Sequence, residues 1–258
     1  MYSIQLIKVG EADVRGPEAF WMARWDDWVK LVFHVVVIRG QGRTVLIGTG
    51  PPDDLSDINR VWRSYLGADR AQLRVEPEDR MPAALAGCGV SPAEVDTVIL
   101  TPFSAYTTGG LHHFPNARIA LSRRGWNAFI SPTARDNATA ERDTRIPASH
   151  LAHLVTDWWP RVTLLAAEDE IAPGLTVFHT GVHDRGSLAV VVTTGIGTVI
   201  YSDSAYHNEN IEQRHPIGIA YDLDEAHRSY DRIAAESDLF LAGFDPAHLT
   251  RFPDGVVA

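Results

Sequence analysis

The feature that most restricts the fold is the run Leu31-Val32-Phe33-His34-Val35-Val36-Val37-Ile38. Valine and isoleucine carry two heavy atoms on Cβ, which crowds a helix and suits a pleated strand. The run ends in Arg39-Gly40-Gln41-Gly42, and a second one, Thr44-Val45-Leu46-Ile47, stops at Gly48-Thr49-Gly50-Pro51-Pro52. Two such runs across a glycine-containing turn predict a hairpin. The first run is also far too short to span a bilayer.

The rest of the chain alternates between strand and helix patterns. Asp57–Leu66 has helical spacing (Ile58, Val61, Trp62, Tyr65), and Met81–Ala86 fits a short helix closed by Gly87-Cys88-Gly89. Ser91-Pro92-Ala93-Glu94 reads as a helix start, with a capping serine and proline at the first helical position. Val95–Leu100, Ala117–Leu121, Leu175–His179, Leu188–Thr193, Thr198–Tyr201 and Leu239–Ala242 read as strands. His150–Trp159 and Asp224–Ser237 read as helices, and the polar stretch Ser131–Pro147 as a surface excursion. With no repeat, low-complexity tract or linker, residues 1–258 are expected to form one α/β domain built in layers.

Charge and cysteine content narrow the function classes. The 258 residues carry 23 Lys and Arg against 33 Asp and Glu, a formal net charge of −10. Nucleic acids and anionic membranes need a basic footprint, so neither is expected as a partner. One cysteine, Cys88, allows no intrachain disulfide and no zinc finger. Met1–Gly10 has no basic region followed by a long apolar run, so a cytoplasmic chain is the default.

The order of the segments carries a resemblance. Val45-Leu46-Ile47-Gly48-Thr49-Gly50-Pro51-Pro52 is followed by Val98-Ile99-Leu100-Thr101 leading to Gly109-Gly110, then by Phe114-Pro115-Asn116-Ala117. Thr180-Gly181-Val182-His183 with Gly186-Ser187 comes next, then Tyr201-Ser202-Asp203-Ser204-Ala205-Tyr206, then Asp245-Pro246 before Phe252-Pro253. From about Val32 to the C-terminus this series resembles the metallo-β-lactamase fold superfamily, and most of all its N-acyl homoserine lactonase-like branch. The resemblance implies an αβ/βα sandwich of four layers, two packed mixed β-sheets flanked by helices, with the active site at one edge.

The same resemblance implies a lost metal centre. The family's two metal ions, usually zinc, need a His-x-His-x-Asp-His run after the strand that ends in threonine. Anchored without a gap on Thr101 and Gly109-Gly110, the four ligand positions hold Pro102, Ser104, Tyr106 and Thr107. The last family histidine aligns with Phe244, and the aspartate of the Asp-Thr-Gly turn is Gly48. What survives is His183, Asp203, which in the family bridges the metals, and Tyr206, whose counterpart in the lactonases contacts the substrate carbonyl. Two protein ligands do not make a zinc site, so no metal and no cofactor is expected. The large rings of Tyr106 and Phe244 are expected to fill the emptied space.

Three site readings follow. Ser104, His183 and Asp203 should converge, which is the inventory of a Ser–His–Asp triad, although Ser104 lies outside a Gly-x-Ser-x-Gly elbow. The second is a His183–Asp203 acid–base dyad with Tyr106 or Tyr206 as proton donor; the third is a polar remnant with no chemistry. Thr107, Phe244, His112, Trp25 and Trp28 are substrate-side candidates. Trp21, Trp25 and Trp28 are spaced for one helix face. His112-His113 reads as a solvent pair, because adjacent residues rarely ligate one metal, and His150 and His153 as surface residues of a helix. His179, His207, His215, His227 and His248 are read as structural.

The expectation is a metal-independent enzyme acting on a small organic molecule (a lactone, ester or other carbonyl compound) by hydrolysis or by acid–base lyase or isomerase chemistry. The alternatives are a non-catalytic ligand- or partner-binding pseudoenzyme, and a single-metal hydrolase built on His183, Asp203 and an unidentified ligand. The oligomeric state is left open, a homodimer among the options.

Overall fold

A computed structural model describes residues 1–131 and 144–258. Most of the expected surface excursion Ser131–Pro147 lies outside them. The strands are β1 (Ser3–Arg15), β2 (Trp28–Gly40), β3 (Arg43–Ile47), β4 (Thr97–Leu100), β5 (Arg118–Ser122), β6 (Val162–Leu165), β7 (Glu168–Ala172), β8 (Leu175–His179), β9 (Leu188–Thr194), β10 (Gly197–Ser202) and β11 (Leu239–Ala242). β1 to β6 form one sheet in sequence order, antiparallel across β1–β2–β3 and parallel from β3 to β6. The second sheet runs β11-β10-β9-β8-β7, parallel only at the β10–β11 pair.

The valine run explains how these sheets stack. Successive side chains of a strand point to opposite faces. Val36 and Ile38 join Val45, Ile47 and Ile99 against Leu175, Val190, Val192 and Tyr201 of the second sheet, which is the core between the sheets. Val35 and Val37 face the other way, toward Ile58, Met81, Leu85 and Trp126 on the outer helices. Both faces are covered, so the strand is apolar throughout. Helix Leu223–Glu236 covers the outer face of the second sheet with Ile233 against Phe178 and Ile200. The four-layer sandwich expected from the sequence is present. The expected hairpin is β2–β3, turning through Gln41 and Gly42 at φ 53° and 72°. Among the described residues no helix is long and apolar enough to cross a membrane.

Several local expectations are corrected. β1 is missing from the sequence reading because Lys8, Glu11 and Asp13 interrupt its pattern. These residues pair with Asp79 (2.9 Å), Lys30 (2.9 Å) and Arg74 (3.0 Å), so a polar strand stays inside the fold. The tryptophan helix does not form. Only Gly16–Ala19 is helical, and Met22 and Arg24 take left-handed backbone (φ 54° and 57°) that a continuing helix forbids. Ser91 does build a capping box with Glu94, but it opens a single 3₁₀ turn, Pro92–Glu94. Helix Ala148–Leu154 stops short of Trp159, and His150 on it is buried instead of exposed. β6 and β7 were also absent from the expectations.

Candidate active site

Four chain turns meet at one edge of the sandwich. Thr101 follows β4, His183 and Ser187 lie in the loop before β9, Asp203 and Tyr206 follow β10, and Phe244 follows β11. Helix Ala105–Thr108 supplies Tyr106. A Cβ on Gly243 would lie 2.9 Å from Cα of Asp203, so glycine lets the turn after β11 close onto the site. The turn is pinned there by Phe244 N–H donating to the Tyr206 carbonyl (3.1 Å) and Val32 N–H donating to that of Phe244 (2.9 Å).

Asp203 is fully buried, and both its oxygens are engaged. Oδ1 accepts from the Thr101 hydroxyl at 2.6 Å, and Oδ2 accepts from the Ser187 hydroxyl. His183 Nδ1 lies 3.3 Å from Asp203 Oδ2, but it is not aligned for a hydrogen bond. The two residues thus meet, as expected, while the carboxylate's hydrogen bonds go to Thr101 and Ser187. On the other side of the ring, Nε2 faces two phenols: Tyr206 Oη at 3.3 Å and Tyr106 Oη at 3.5 Å. With its ring proton on Nδ1, on the carboxylate side, Nε2 has one lone pair and accepts from one of the two phenols at a time. Burial pushes both phenols well above the ordinary tyrosine range, reinforced by Asp203 at Tyr106 and by Glu18 at Tyr206. Both are neutral donors at neutral pH.

Aromatic rings pack together around His183. Phe244 packs with its ring centroid 5.2 Å from Phe33, 5.7 Å from Tyr106, 5.0 Å from Tyr206 and 5.7 Å from His183. Trp62 closes the group 6.0 Å from Tyr106. Phe33 and Trp62 were visible only as strand and helix residues. Thr101 and Ser187 appeared in the motif series without a role. Glu18 was missed altogether: it is half-buried, its Oε2 is closed to solvent without a hydrogen-bond partner, and burial pushes its carboxyl up to about 7.

Other candidates are placed elsewhere. Ser104 makes no hydrogen bond to His183; the Tyr106 phenol holds the position a serine nucleophile needs, and the Ser104 hydroxyl neighbours that phenol. Thr107 turns its hydroxyl back onto the carbonyls of Pro102 (2.5 Å) and Ser104 (2.8 Å). Trp25 is exposed, and Trp28 lies under the Arg15 guanidinium at 4.2 Å. His112 contacts His113, His150 and Asp53. Beside the site is a cavity of about 380 Å³ lined by Arg124, Val182, Asp184, Arg185, Tyr221 and Arg228. Val182, next to His183, holds φ 65°, a strained backbone for a β-branched residue.

The donor set here does not suit a pair of metal ions: Pro102, Ser104, Tyr106, Thr107 and Phe244 offer no imidazole or carboxylate, and both oxygens of Asp203 already accept from hydroxyls.

No protein-family model and no curated protein matches the chain. Solved structures do. An N-acyl homoserine lactone hydrolase, with N-hexanoyl-L-homoserine bound at its catalytic metal center, is 18% identical with a TM-score of 0.79, over 99% of this chain and 98% of that one. A probable metal-dependent hydrolase from Staphylococcus aureus is 18% identical with a TM-score of 0.74, over 95% and 89%. The hydrolase AbOPH of the beta lactamase superfamily is 17% identical with a TM-score of 0.67, over 99% and 89%. The chain therefore shares the fold of these structures, the metallo-β-lactamase fold.

Proposed function

We propose that the cleft performs acid–base chemistry on a small carbonyl compound, a lactone or ester by hydrolysis or an enolisable substrate by proton transfer, without a metal pair. The observation that carries this reading is His183 Nε2 set between two neutral phenols with a buried carboxylate behind the ring. Nε2 takes the proton from water or from carbon. Asp203 stabilises the imidazolium that results, because opposite charges in a water-poor site attract strongly. When a carbonyl displaces the phenols from Nε2, Tyr106 and Tyr206 can donate to its oxygen as charge develops there. Phe33, Trp62 and Phe244 supply apolar walls.

The test is turnover of a panel of N-acyl homoserine lactones and aryl esters, with and without chelator. The expected result is chelator-insensitive turnover that falls by about 10²–10⁴-fold in His183→Ala. A second reading, a non-catalytic binding module, is favoured by the mutual closure of the polar groups: Tyr106 and Tyr206 are almost wholly buried against His183. Equal rates for wild type and His183→Ala across the panel would move the assignment to that reading.

A further inference from the structure

We propose that Asp53, His112 and His113 form a surface site for one divalent transition metal ion of the zinc class, apart from the cleft. One ligand atom from each of the three residues lies within 4.8 Å of the other two, and His112 Nε2 is 3.8 Å from Asp53 Oδ2. Zinc bonds of about 2.0–2.2 Å in tetrahedral geometry put ligand atoms roughly 3.3–3.5 Å apart. Exposed side chains close that difference by small rotations.

Neighbours on a tight turn ordinarily point apart. Here His112 and His113, on the 3₁₀ turn Leu111–His113, converge until their ring centroids are 3.9 Å apart. Among the described residues neither imidazole makes a hydrogen bond that would account for the convergence. Behind them, His150 lies 5.2 Å from the His112 ring. Its Nδ1 faces the Thr108 carbonyl at 3.1 Å, which fixes Nδ1 as the donor and the ring as a rigid wall. Asp53 is oriented from its far side by Arg80, 3.6 Å from Oδ1, leaving Oδ2 toward the histidines. Outer partners of this kind are what hold metal ligands in place. Two imidazoles and one carboxylate suit zinc, cobalt or nickel, with the open position left to water.

The place of the site gives it a role. The segment carrying Asp53 is already tied to helix Ala105–Thr108: Thr49 N–H donates to the Thr107 carbonyl (2.8 Å), and Gly110 N–H to that of Gly50 (3.1 Å). A metal bridging Asp53 to His112 and His113 ties that segment to the turn that follows the helix holding Tyr106.

The experiment uses untagged, chelator-treated full chain titrated with Zn²⁺ by calorimetry and with Co²⁺ by visible absorption. One equivalent should bind, with a tetrahedral cobalt spectrum and a raised Tm. His112→Ala, His113→Ala and Asp53→Asn should each weaken binding by about tenfold or more, and His183→Ala should leave it unchanged. The Tm of the metal-free variants shows that they are folded. No binding, binding that survives any of the three substitutions, or binding lost in His183→Ala would overturn the proposal.

Discussion

The cleft and the Asp53–His112–His113 cluster contain the same kinds of side chain and treat them in opposite ways. In the cleft, both oxygens of Asp203 accept from hydroxyls and Nε2 of His183 faces two phenols, all under aromatic rings. On the surface, two imidazoles meet a carboxylate with 3.8 Å between His112 Nε2 and Asp53 Oδ2 and solvent on one side. Residue type alone therefore says little about ligand binding. The neighbours decide: a donor already satisfied at close range has no lone pair or proton to offer without breaking a buried hydrogen bond.

The largest test of that contrast is Phe244→Ala. Its ring is buried among Phe33, Tyr106, Tyr206 and His183, and truncating such a ring typically costs about 3–5 kcal/mol. Urea unfolding should show a loss in that range. A loss under about 1 kcal/mol would mean that the rings do not hold the cleft closed, and the contrast with the surface cluster would weaken.

The next effect concerns Glu18, a carboxyl near Tyr206 whose Oε2 has no hydrogen-bond partner. Its folded-state pKa is raised to about 7, so between its ordinary 4.5 and 7 the folded protein keeps a proton that the unfolded chain has lost. Stability then falls as pH rises across that window, by up to about 1.4 kcal/mol per pH unit. Glu18→Gln removes the slope. The variant should gain on wild type steadily from pH 4.5 to about 7 and then level off. His34, held down to about 3 by burial and by His248, acts in the other direction. It costs stability as pH falls from 6.5, equally in both proteins, and so cancels from the difference. A pH-independent gap would place Glu18 in solvent.

What the sequence revealed follows the same division. The valine run and its hairpin announced a sandwich, because β-branched alternation between two cores is a local pattern. The order of turns located His183, Asp203 and Tyr206 at one edge. Saturation was not legible: Thr101 and Ser187 reach Asp203 from 102 and 16 residues away, and nothing in their local patterns marks them as its donors. The tryptophan helix misled because a 3.6-residue spacing was present without the backbone to use it: Met22 and Arg24 are left-handed.

A smaller effect is expected from Ser187→Ala. The substitution leaves Oδ2 of Asp203 buried with one donor fewer, and an unmet buried acceptor costs about 1–3 kcal/mol. If saturation by Ser187 is what keeps His183 Nδ1 from a proper bond to Asp203, the freed oxygen should take it up. The Nδ1 proton of His183 should then shift downfield in the NMR spectrum of the variant. An unchanged proton resonance together with lost stability would show that ring position, and not competition for the carboxylate, keeps the two apart.

The smallest effect should come from the surface side. Asp53 contributes an exposed contact of 3.6 Å to Arg80 and one of 3.8 Å to His112. Exposed pairs of this kind contribute little, because water screens both charges and ordering long side chains costs entropy. In chelated buffer, Asp53→Asn should therefore leave stability within about 0.5 kcal/mol of wild type. The contrast with Phe244→Ala is the point of the measurement. On the two proposals, the cleft should owe its stability to packing and not respond to added metal, while the surface cluster should contribute almost nothing until an ion joins it. Added Zn²⁺ should then separate the two proteins, since an ion that binds only the folded state stabilises it by mass action. An Asp53→Asn variant that is already several kcal/mol weaker in chelated buffer would make the cluster part of the fold's own framework, and the division between a closed region and an open one would have to be redrawn.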